Sequence, residues 1–473
     1  MSRTAGQSDR RTVAPARAAA LLAGAVLSVC PTVRLSGQDS SVVDRGVRVG
    51  IIYRPGVRPG MVLLPGRPAV LDSVRAIVAR DLDYSDRFEM ITLPGGDSIR
   101  LGAAANPTRS SGRGRTGGGG GEAAGLNYPL FQALGADFAV ALAQATDTTV
   151  VTLHDVAAGG VRREVKKRLP PLTSPDFRLA VHRLADQVLQ ASLGAPGVAA
   201  SRLLFVMDGK VWQIDQDGAD KRLVSSSDRQ AMSPAWAADG RRFAYMEFWA
   251  GHGQLFVQDM ATGKRAAVVT TGAALDFTPA FSPDGKTLAF SRAIEEGTDV
   301  YTVNLKDNCC LQRLTVGRFS DNLSPTYSPD GQRIAFVSTR AGLPQIYVMA
   351  ADGTDQQLFA PFDYGVTGSS NAPEWSPDGQ SVAFHRDVAG TLQVFVLDVR
   401  TRTVRQLTSV GRNEDPTWAP DSRHLCFVSD RSGYRQLWII DLETGRIRPL
   451  LQQSGARLPA WSPRLPETAA STP

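Results

Sequence analysis

The sequence predicts a small N-terminal α/β domain followed by a six-bladed β-propeller, and three observations lead to this fold class. A proline followed two residues later by an aromatic residue recurs six times from residue 234, with spacings of 45, 46, 48, 43 and 43 residues. Residues 47–194 lack this repeat. The last repeat stops after one strand, and the chain before the first repeat supplies three. A period in the forties is typical of a four-stranded propeller blade.

Each repeat begins with a strand pattern and a tight turn. The six proline–aromatic pairs are Pro234/Trp236, Pro279/Phe281, Pro325/Tyr327, Pro373/Trp375, Pro416/Trp418 and Pro459/Trp461. Three repeats continue with Ser-Pro-Asp-Gly, starting at Ser282, Ser328 and Ser376. In such a turn proline restricts φ, aspartate bonds the nearby backbone and glycine accepts positive φ. These features predict two antiparallel strands joined by a short turn, with further turns at 259–263 and 441–445 joining strands three and four.

The two ends of the repeat array predict how the propeller closes. The final repeat ends after its first strand, near Trp461, whereas residues 202–207, 211–215 and 221–224 have the patterns of strands two, three and four. One blade shared between the chain ends would close the ring and remove exposed sheet edges. The alternative, five blades with a loose C-terminal segment, would leave the strand of Trp461 unpaired. The predicted propeller spans residues 202–465 and is followed by a disordered tail at 466–473.

The region in front of the propeller predicts a small α/β sandwich at residues 47–194. Its apolar patterns predict strands at 47–53, 61–64 and 88–93, helices at 69–83, 128–134 and 174–192, and an antiparallel meander at 136–143, 149–156 and 161–169. The closing helix has Ser174 as its expected N-cap, ahead of Pro175. Residues 101–125 are rich in Gly, Ser and Arg and predict a disordered surface loop. Residues 195–201 are the predicted linker.

The first 37 residues predict an export signal. They carry five Arg and one Asp, and residues 18–30 form an uncharged, mostly apolar stretch. That stretch is too short for a stable membrane span. Cleavage near residue 37 would leave a mature N-terminal tail at 38–46 and place the protein in the periplasm. Because the leader holds +4 of the formal net charge of +6, the remainder is near neutral and gives no reason to expect nucleic-acid binding.

The sequence contains no specific catalytic, cofactor or metal motif, so the expectation is a binding protein without cofactor or metal. The five His are scattered without HExxH spacing, and His182 and His424 are expected to be structural or surface residues. Residues 215–220 resemble a calcium loop, but a hairpin turn explains them better because the glycine comes too early. The adjacent pair Cys309 and Cys310 is expected to be incidental, and Cys426 a buried thiol.

The topology of a blade predicts where a partner would bind. The short turns lie on one face, so the longer loops before strand one and between strands two and three must emerge on the other, around the channel mouth. Such loops are where recognition residues usually sit. The expected partner-binding residues are Leu275, Asp276, Phe277, Thr278, Asp321, Asn322, Leu323, Ser370, Asn371, Asn413, Glu414 and Asp415.

The sequence resembles the TolB family of periplasmic propeller proteins. The residues that carry the resemblance are the segment 232–236 (Met-Ser-Pro-Ala-Trp), the repeated Ser-Pro-Asp-Gly, and the closing segment 458–465. The order of signal, α/β domain and propeller is also similar. The chain departs from the pattern at residues 237–240, where Ala-Ala-Asp-Gly replaces Ser-Pro-Asp-Gly, at Asp421-Ser422, which lacks the turn glycine, and in its long glycine-rich insert.

The resemblance implies a non-enzymatic, monomeric component of the Tol–Pal envelope system. It implies binding of the lipoprotein Pal at the propeller mouth, through loops that correspond to residues 275–278, 321–323 and 413–415. It also implies contact of the mature N-terminal tail with TolA, and support of outer-membrane integrity and constriction during division. Residues 38–45 show no recognisable TolA-binding sequence. The alternatives are a propeller-containing periplasmic enzyme, a peptidase or a carbohydrate-active one, and a periplasmic propeller with another partner.

Overall fold

The computed structural model describes residues 58–65, 71–93, 126–225, 228–268, 274–362 and 368–466. The predicted export signal, the N-terminal tail, the strand at 47–53 and the glycine-rich insert lie outside these residues. Within the described ranges, no helix is long and apolar enough to cross a membrane.

The described chain begins with a five-stranded mixed sheet and three helices. The elements are β1 (Gly60–Leu63), α1 (Asp72–Tyr84), β2 (Glu89–Ile91), α2 (Tyr128–Ala133), β3 (Phe138–Ala145), β4 (Thr148–Asp155), β5 (Gly160–Lys167) and α3 (Phe177–Leu193). The strand order is β2-β1-β3-β4-β5, in which β1 runs parallel to both of its neighbours. These bounds correspond to the elements predicted for the described part of this region.

The apolar faces of α1 and α3 pack on this sheet and make its core. Helix α1 buries Val74, Ile77, Val78 and Leu82, whose spacing of three and four residues places them on one side of the helix. They meet the buried face of α3 and the sheet in one apolar cluster. Helix α3 starts at Phe177 after the cap residue Asp176, so the predicted start at Ser174 was too early. This packing places Asp81 of α1 next to His182 of α3.

The remaining strands are antiparallel four-strand meanders. In chain order they are β6 (Arg202–Met207), β7 (Lys210–Asp215), β8 (Arg222–Leu223), β9 (Gln230–Trp236), β10 (Arg242–Trp249), β11 (His252–Asp259), β12 (Arg265–Ala267), β13 (Leu275–Phe281), β14 (Thr287–Ile294), β15 (Gly297–Asn304), β16 (Cys309–Arg313), β17 (Asn322–Tyr327), β18 (Arg333–Ser338), β19 (Gln345–Ala350), β20 (Gln357–Leu358), β21 (Ser370–Trp375), β22 (Ser381–Val388), β23 (Thr391–Asp398), β24 (Val404–Gln406), β25 (Asn413–Trp418), β26 (His424–Ser429), β27 (Gln436–Asp441), β28 (Ile447–Leu451) and β29 (Arg457–Trp461).

These strands form a β-propeller. Four sheets have four strands each: β17–β20, β21–β24, β25–β28, and the sheet ordered β29-β6-β7-β8. The meanders β9–β12 and β13–β16 are joined in an eight-stranded sheet by one parallel pair of residues, Gly253 and Leu275. The strands that open the meanders, β9, β13, β17, β21, β25 and β29, contact one another in a closed ring. We call these the first strands; they enclose the central channel.

The two ends of the propeller are paired with each other. Strand β29, at the end of the described chain, pairs antiparallel with β6, so that Trp461 lies opposite Leu203. The Ser462 amide donates to the carbonyl of Arg202 at 2.8 Å, which extends this pairing by one residue. The strand of Trp461 is therefore not loose, and the predicted sharing of one sheet between the chain ends is confirmed. The pairing covers the edge that β6 would otherwise expose.

Every first strand carries a break at the same place. The residue before the repeat proline has φ between 46° and 53° in each of them, and the pairing register with the second strand shifts at this point in all six. These residues are Ser233, Thr278, Ser324, Ala372, Asp415 and Leu458. A bulge of this kind bends a strand and re-aims its side chains. The repeated bulge thus separates a mouth half of each first strand from a turn half.

The Ser-Pro-Asp-Gly turns have the predicted chemistry. The Ser282 hydroxyl donates to Asp284 Oδ1 at 2.6 Å, the Lys286 amide donates to the same oxygen at 3.1 Å, and Gly285 has φ 67°. The turns at Ser328 and Ser376 repeat this pattern. These turns join the first and second strands, and together with the turns between strands three and four they form one face of the propeller, which we call the turn face. The opposite end, where the first strands begin, is the mouth.

Candidate binding site in the central channel

The channel contains a cavity of about 610 Å³ toward the turn face. Its wall is formed by the turn halves of the first strands and by the prolines of the turns, including Pro283, Pro329 and Pro377. Glu374 supplies a carboxyl group to this wall. It accepts hydrogen bonds from the Thr417 hydroxyl and the Trp418 amide, both at 3.0 Å. Burial raises the pKa of Glu374 to about 7, against the effect of these two donors, so its charge changes near neutral pH.

Four of the predicted binding residues are buried at equivalent positions where their first strands begin. Asp276, Asn322, Ser370 and Asn413 are at most 1% exposed. Each accepts from an arginine that lies on or just after the second strand of the same meander; the pairs are Asp276–Arg292 (2.7 and 3.0 Å), Asn322–Arg340 (3.0 Å), Ser370–Arg386 (3.0 Å) and Asn413–Arg431 (3.0 Å). These four side chains hold the blade together, and their placement argues against direct contact with a partner.

The same four arginines stack on aromatic pairs inside the blades. The guanidinium lies 5.1 to 5.7 Å from the ring of the second strand and 4.8 to 5.5 Å from that of the third; the ring pairs are Phe290/Tyr301, Phe336/Tyr347, Phe384/Phe395 and Phe427/Trp438. Such contacts are favourable when partly desolvated. Sequence reasoning missed this repeated element, although an arginine two or four residues after a second-strand phenylalanine was visible in four repeats.

The buried position of Asn413 predicts a cost for its removal. The Asn413→Ala substitution leaves Arg431 and the Gln393 side-chain oxygen, 2.8 Å from the Asn413 amide, without this partner. We expect a loss of about 1–3 kcal/mol in the free energy of unfolding, because buried polar groups would be left unsatisfied. Urea denaturation measures it. The control is Asn371→Ala in the neighbouring first strand, whose side chain is partly exposed; equal losses in both variants would contradict the assigned role.

The other predicted binding residues are partly exposed and lie mostly within strands. The first strands begin at Leu275, Asn322, Ser370 and Asn413, so the expectation that these segments are loops was wrong for all but Asp321. The partly exposed members are Leu275, Phe277, Thr278, Asp321, Leu323, Asn371, Glu414 and Asp415. The structure therefore places all of them except Asp321 in the mouth halves of the first strands, where they are held by a sheet.

Two carboxyl groups at the mouth, Glu414 and Asp415, differ in their environment. Glu414 accepts from Arg412 at 3.0 Å and lies 3.5 Å from Arg435. Burial and then the nearby Glu414 charge raise the pKa of Asp415 to about 7. The Asp415 amide donates to Nδ1 of His385, and burial followed by the Arg412 charge lowers the pKa of that imidazole to about 4. The mouth thus carries a carboxyl that titrates near neutrality beside a neutral histidine.

The α/β domain is bound to the turn face by two ionic clusters. In the first, His182 of α3 lies 2.7 Å from Asp81 of α1 and 3.5 Å from Asp215 at the end of β7. Arg178 donates to Asp215 at 3.0 Å and to Asp217 at 2.5 Å. Burial alone would lower the pKa of His182, but the two carboxylates raise it to about 10. The hairpin turn at residues 215–220 therefore contributes to the domain contact.

The second cluster is centred on His424. Its Nδ1 lies 2.7 Å from Asp421, and its Nε2 lies 3.4 Å from Asp86 of the α/β domain and 3.3 Å from Asp441. Arg446 donates to Asp86 at 3.0 Å and also binds Asp83, while Arg423 pairs with Asp441. Each cluster brings a His and carboxylates together as a metal site would. Since arginines and a protonated His already oppose these carboxylates, the arrangement acts as an ionic contact between domains.

Comparisons with known proteins agree with this architecture. A family model described as the TolB beta propeller domain matches residues 192–363 and 364–469, together more than half of the chain. The Tol-Pal system protein TolB of Bordetella pertussis is 28% identical over 187 residues, which are 39% of this chain and 42% of that protein. TolB of Bordetella parapertussis gives the same identity and coverage. The matched part is thus about two fifths of the length of these curated relatives.

A solved structure extends the likeness to most of the chain. The crystal structure of TolB from Acinetobacter baumannii has a TM-score of 0.70 at 24% identity, covering 86% of this chain and 98% of that one. At this identity the likeness shows the fold. The two Bordetella relatives are named as Tol-Pal system proteins. With its closed ring of first strands and its match over the whole propeller, the chain belongs to the TolB beta propeller family.

Proposed function

We propose that this protein is a periplasmic protein-interaction component of the Tol–Pal system that binds Pal at the propeller mouth. The observation that carries the proposal is the family match over both parts of the propeller, residues 192–363 and 364–469. The curated relatives that match are Tol-Pal system proteins. Asp215 and His424, on the turn face of the propeller, contact the α/β domain. We therefore place the partner at the opposite end of the propeller, the mouth.

The mouth has the composition of a protein-binding surface. Phe319, in the loop before β17, is 92% exposed, and Tyr434, in the loop between β26 and β27, is 67% exposed. Both loops emerge at the mouth. Exposed apolar groups rimmed by polar ones mark interaction sites, and aromatic residues supply much of the binding energy at such sites. Asn371 and Glu414 add polar groups in the first strands.

Further parts of the proposal rest on the sequence and on the resemblance to the family. We count the eight-stranded sheet as two blades, because β9–β12 and β13–β16 share a single residue pair; this makes a six-bladed propeller. Residues 1–37 would direct export, and the tail at 38–46 would contact TolA. The protein would act as a monomer without cofactor or metal and support outer-membrane integrity and constriction during division.

A binding titration with three matched variants tests the proposal. The probe is the globular domain of Pal from the same organism, without its lipid. One variant replaces Phe319 and Tyr434 with alanine, and a second carries Asn371→Ala with Glu414→Gln. The control replaces three exposed residues of the turn face with alanine; these are Lys286, Gln332 and Gln380. We expect the variant that lacks Phe319 and Tyr434 to raise the Kd about ten-fold or more. A ten-fold change corresponds to about 1.4 kcal/mol, and aromatic residues are among those that dominate the binding energy of interfaces.

The pattern of losses separates the parts of the proposal. A loss confined to the first two variants supports Pal binding at the mouth. A loss confined to the control variant would place the partner on the turn face and overturn the proposal that it binds at the mouth. Failure of the wild type to bind Pal would overturn the function, leaving a periplasmic propeller with another partner. A peptidase or carbohydrate-cleaving activity of the purified protein would overturn its non-enzymatic role.

A further inference from the structure

Adjacent cysteines form a disulfide on the propeller, where the sequence suggested an incidental pair. Cys309 and Cys310 are bonded to each other. They begin β16, the fourth strand of its meander, which pairs with β15 and is the edge of its sheet among the described residues. A bond between neighbouring residues closes a small ring through one peptide unit. It therefore crosslinks no distant parts of the chain and contributes none of the loop-closure stabilisation of a structural disulfide.

The backbone around the pair is irregular. Cys310 has φ 63°, a left-handed conformation that is uncommon for residues other than glycine. The register between β15 and β16 also shifts between Thr302 and Asn304, opposite the pair. Opening the ring would remove one covalent restraint on this conformation. The pair thus lies at an irregular point of an edge strand.

The disulfide is accessible from a groove on the turn face. Cys310 is exposed and Cys309 partly exposed. Cys310 lines a groove of about 540 Å³ between two adjacent meanders, whose opposite wall includes Tyr327 and Gln332. An exposed disulfide can be reached by an attacking thiolate, and exposed disulfides are among those that are labile or regulatory. A change in β16 would alter one wall of this groove.

We propose that Cys309 and Cys310 form a reversible thiol–disulfide site that exchanges with an external dithiol of the thioredoxin class. A thiolate of the dithiol attacks Sγ of Cys310, the bond between the two cysteines breaks, and Cys309 leaves as a thiolate that takes up a proton. The second thiol of the dithiol then attacks the first sulfur of the dithiol, which is bonded to Cys310 in the mixed disulfide. Cys310 is released as a thiol. Two electrons and two protons pass to the cysteine pair, and the dithiol becomes a disulfide.

The remaining cysteine of the described chain is an internal reference for this chemistry. Cys426 is fully buried in the apolar cluster around Trp461. Burial raises the pKa of its thiol well above the usual range. Reactivity requires an accessible thiolate, so Cys426 should stay unmodified while the protein is folded. Modification of Cys426 would report unfolding.

Differential alkylation of the full protein tests the proposal. Cleavage after Lys306 and Arg313 gives one peptide, residues 307–313, that contains both cysteines. The native protein is treated with iodoacetamide before or after incubation with reduced thioredoxin, and the peptide is analysed by mass spectrometry. We expect no alkyl group on this peptide before reduction and two after it, with Cys426 unlabelled in both samples.

Two single variants compare the accessibility of the two sulfur atoms, on which the assigned site of attack depends. With Cys309→Ser, oxidised glutathione should leave a stable mixed disulfide on Cys310, because the second cysteine is absent. With Cys310→Ser, the same modification of Cys309 should be about ten-fold slower, because Cys309 is less exposed. Two alkyl groups on the peptide before any reduction would overturn the proposal. Reduction that requires a denaturant, with Cys426 labelled at the same time, would overturn it as well.

Discussion

Replacing His424 with alanine is expected to lower the free energy of unfolding by about 3–5 kcal/mol, since removal of one partner of a buried ion pair leaves the charge of the other, here Asp421, uncompensated. His424 is the cation that Asp86, Asp421 and Asp441 share, at distances of 2.7 to 3.4 Å. Its side chain is 1% exposed, so these contacts are shielded from solvent. Asp86 belongs to the α/β domain, and the loss should therefore loosen the contact between the two domains.

Chemical denaturation followed by tryptophan fluorescence measures this effect, and limited proteolysis shows whether the α/β domain separates first. The control is His252→Ala, which removes an exposed histidine of the propeller and should change stability by about 0.5 kcal/mol or less. A loss in His424→Ala no larger than that of the control would show that the cluster does not hold the domains together.

The same cluster predicts how stability depends on pH. Burial alone would lower the pKa of His424, but Asp421 and the other carboxylates raise it to about 9 from 6.5. Because the folded pKa lies above the unfolded one, the contribution is fully present below pH 6.5 and is lost as the pH rises through about 9. Unfolding experiments between pH 6.5 and 9.5 should show a decline in the wild type that is weaker in His424→Ala. Parallel curves would contradict the assignment.

Replacing Trp461 with alanine is expected to cost about 3–5 kcal/mol, the range for removal of a large buried aromatic side chain. Trp461 is 6% exposed and packs in a cluster with residues of both chain ends, among them Ile214 and Leu437. Its indole N–H donates to the Ser201 hydroxyl at 2.8 Å. Since this residue ends the strand that closes the ring, its loss weakens the joint between the first and last parts of the propeller.

Urea denaturation of Trp461→Ala, compared with Trp461→Phe, measures this joint. Phenylalanine keeps a ring in the cluster and loses the hydrogen bond, so it should recover more than half of the lost stability. The matched control is Trp249→Ala at the end of β10, a partly exposed tryptophan stacked by Arg229, for which we expect a smaller loss. Equal losses at both tryptophans would contradict the role of Trp461 in stabilising the closure of the ring.

Sequence patterns were sufficient where the interaction is local. The Ser-Pro-Asp-Gly turns were predicted because serine, aspartate and glycine act within five residues of one another, and their hydrogen bonds are those expected. The helix at 69–83 was placed close to its observed bounds at Asp72–Tyr84 because its buried face repeats with the helical period. The pairing of β29 with β6 followed from counting strands at the two ends.

The binding residues show where local reasoning was insufficient. Asn322 and Asn413 are polar residues beside longer loops and so resemble recognition residues. In the folded chain each is tied to an arginine 18 residues further on. Polarity and position in the sequence do not distinguish a side chain that points to solvent from one that points into a blade. That difference depends on the register with the second strand, which the bulge in each first strand shifts.

The sequence alone determined the class of fold, the repeat, the turns and the closure of the ring, because these depend on periodicity and on residues that are neighbours in the chain. The tertiary structure alone decided that His424, expected to be structural or superficial, joins Asp86 of the other domain across 338 residues of sequence. It also decided that Cys309 and Cys310 are bonded at an exposed edge strand. A contact between distant residues leaves no periodic trace, so only the folded arrangement of charges and strands reveals it.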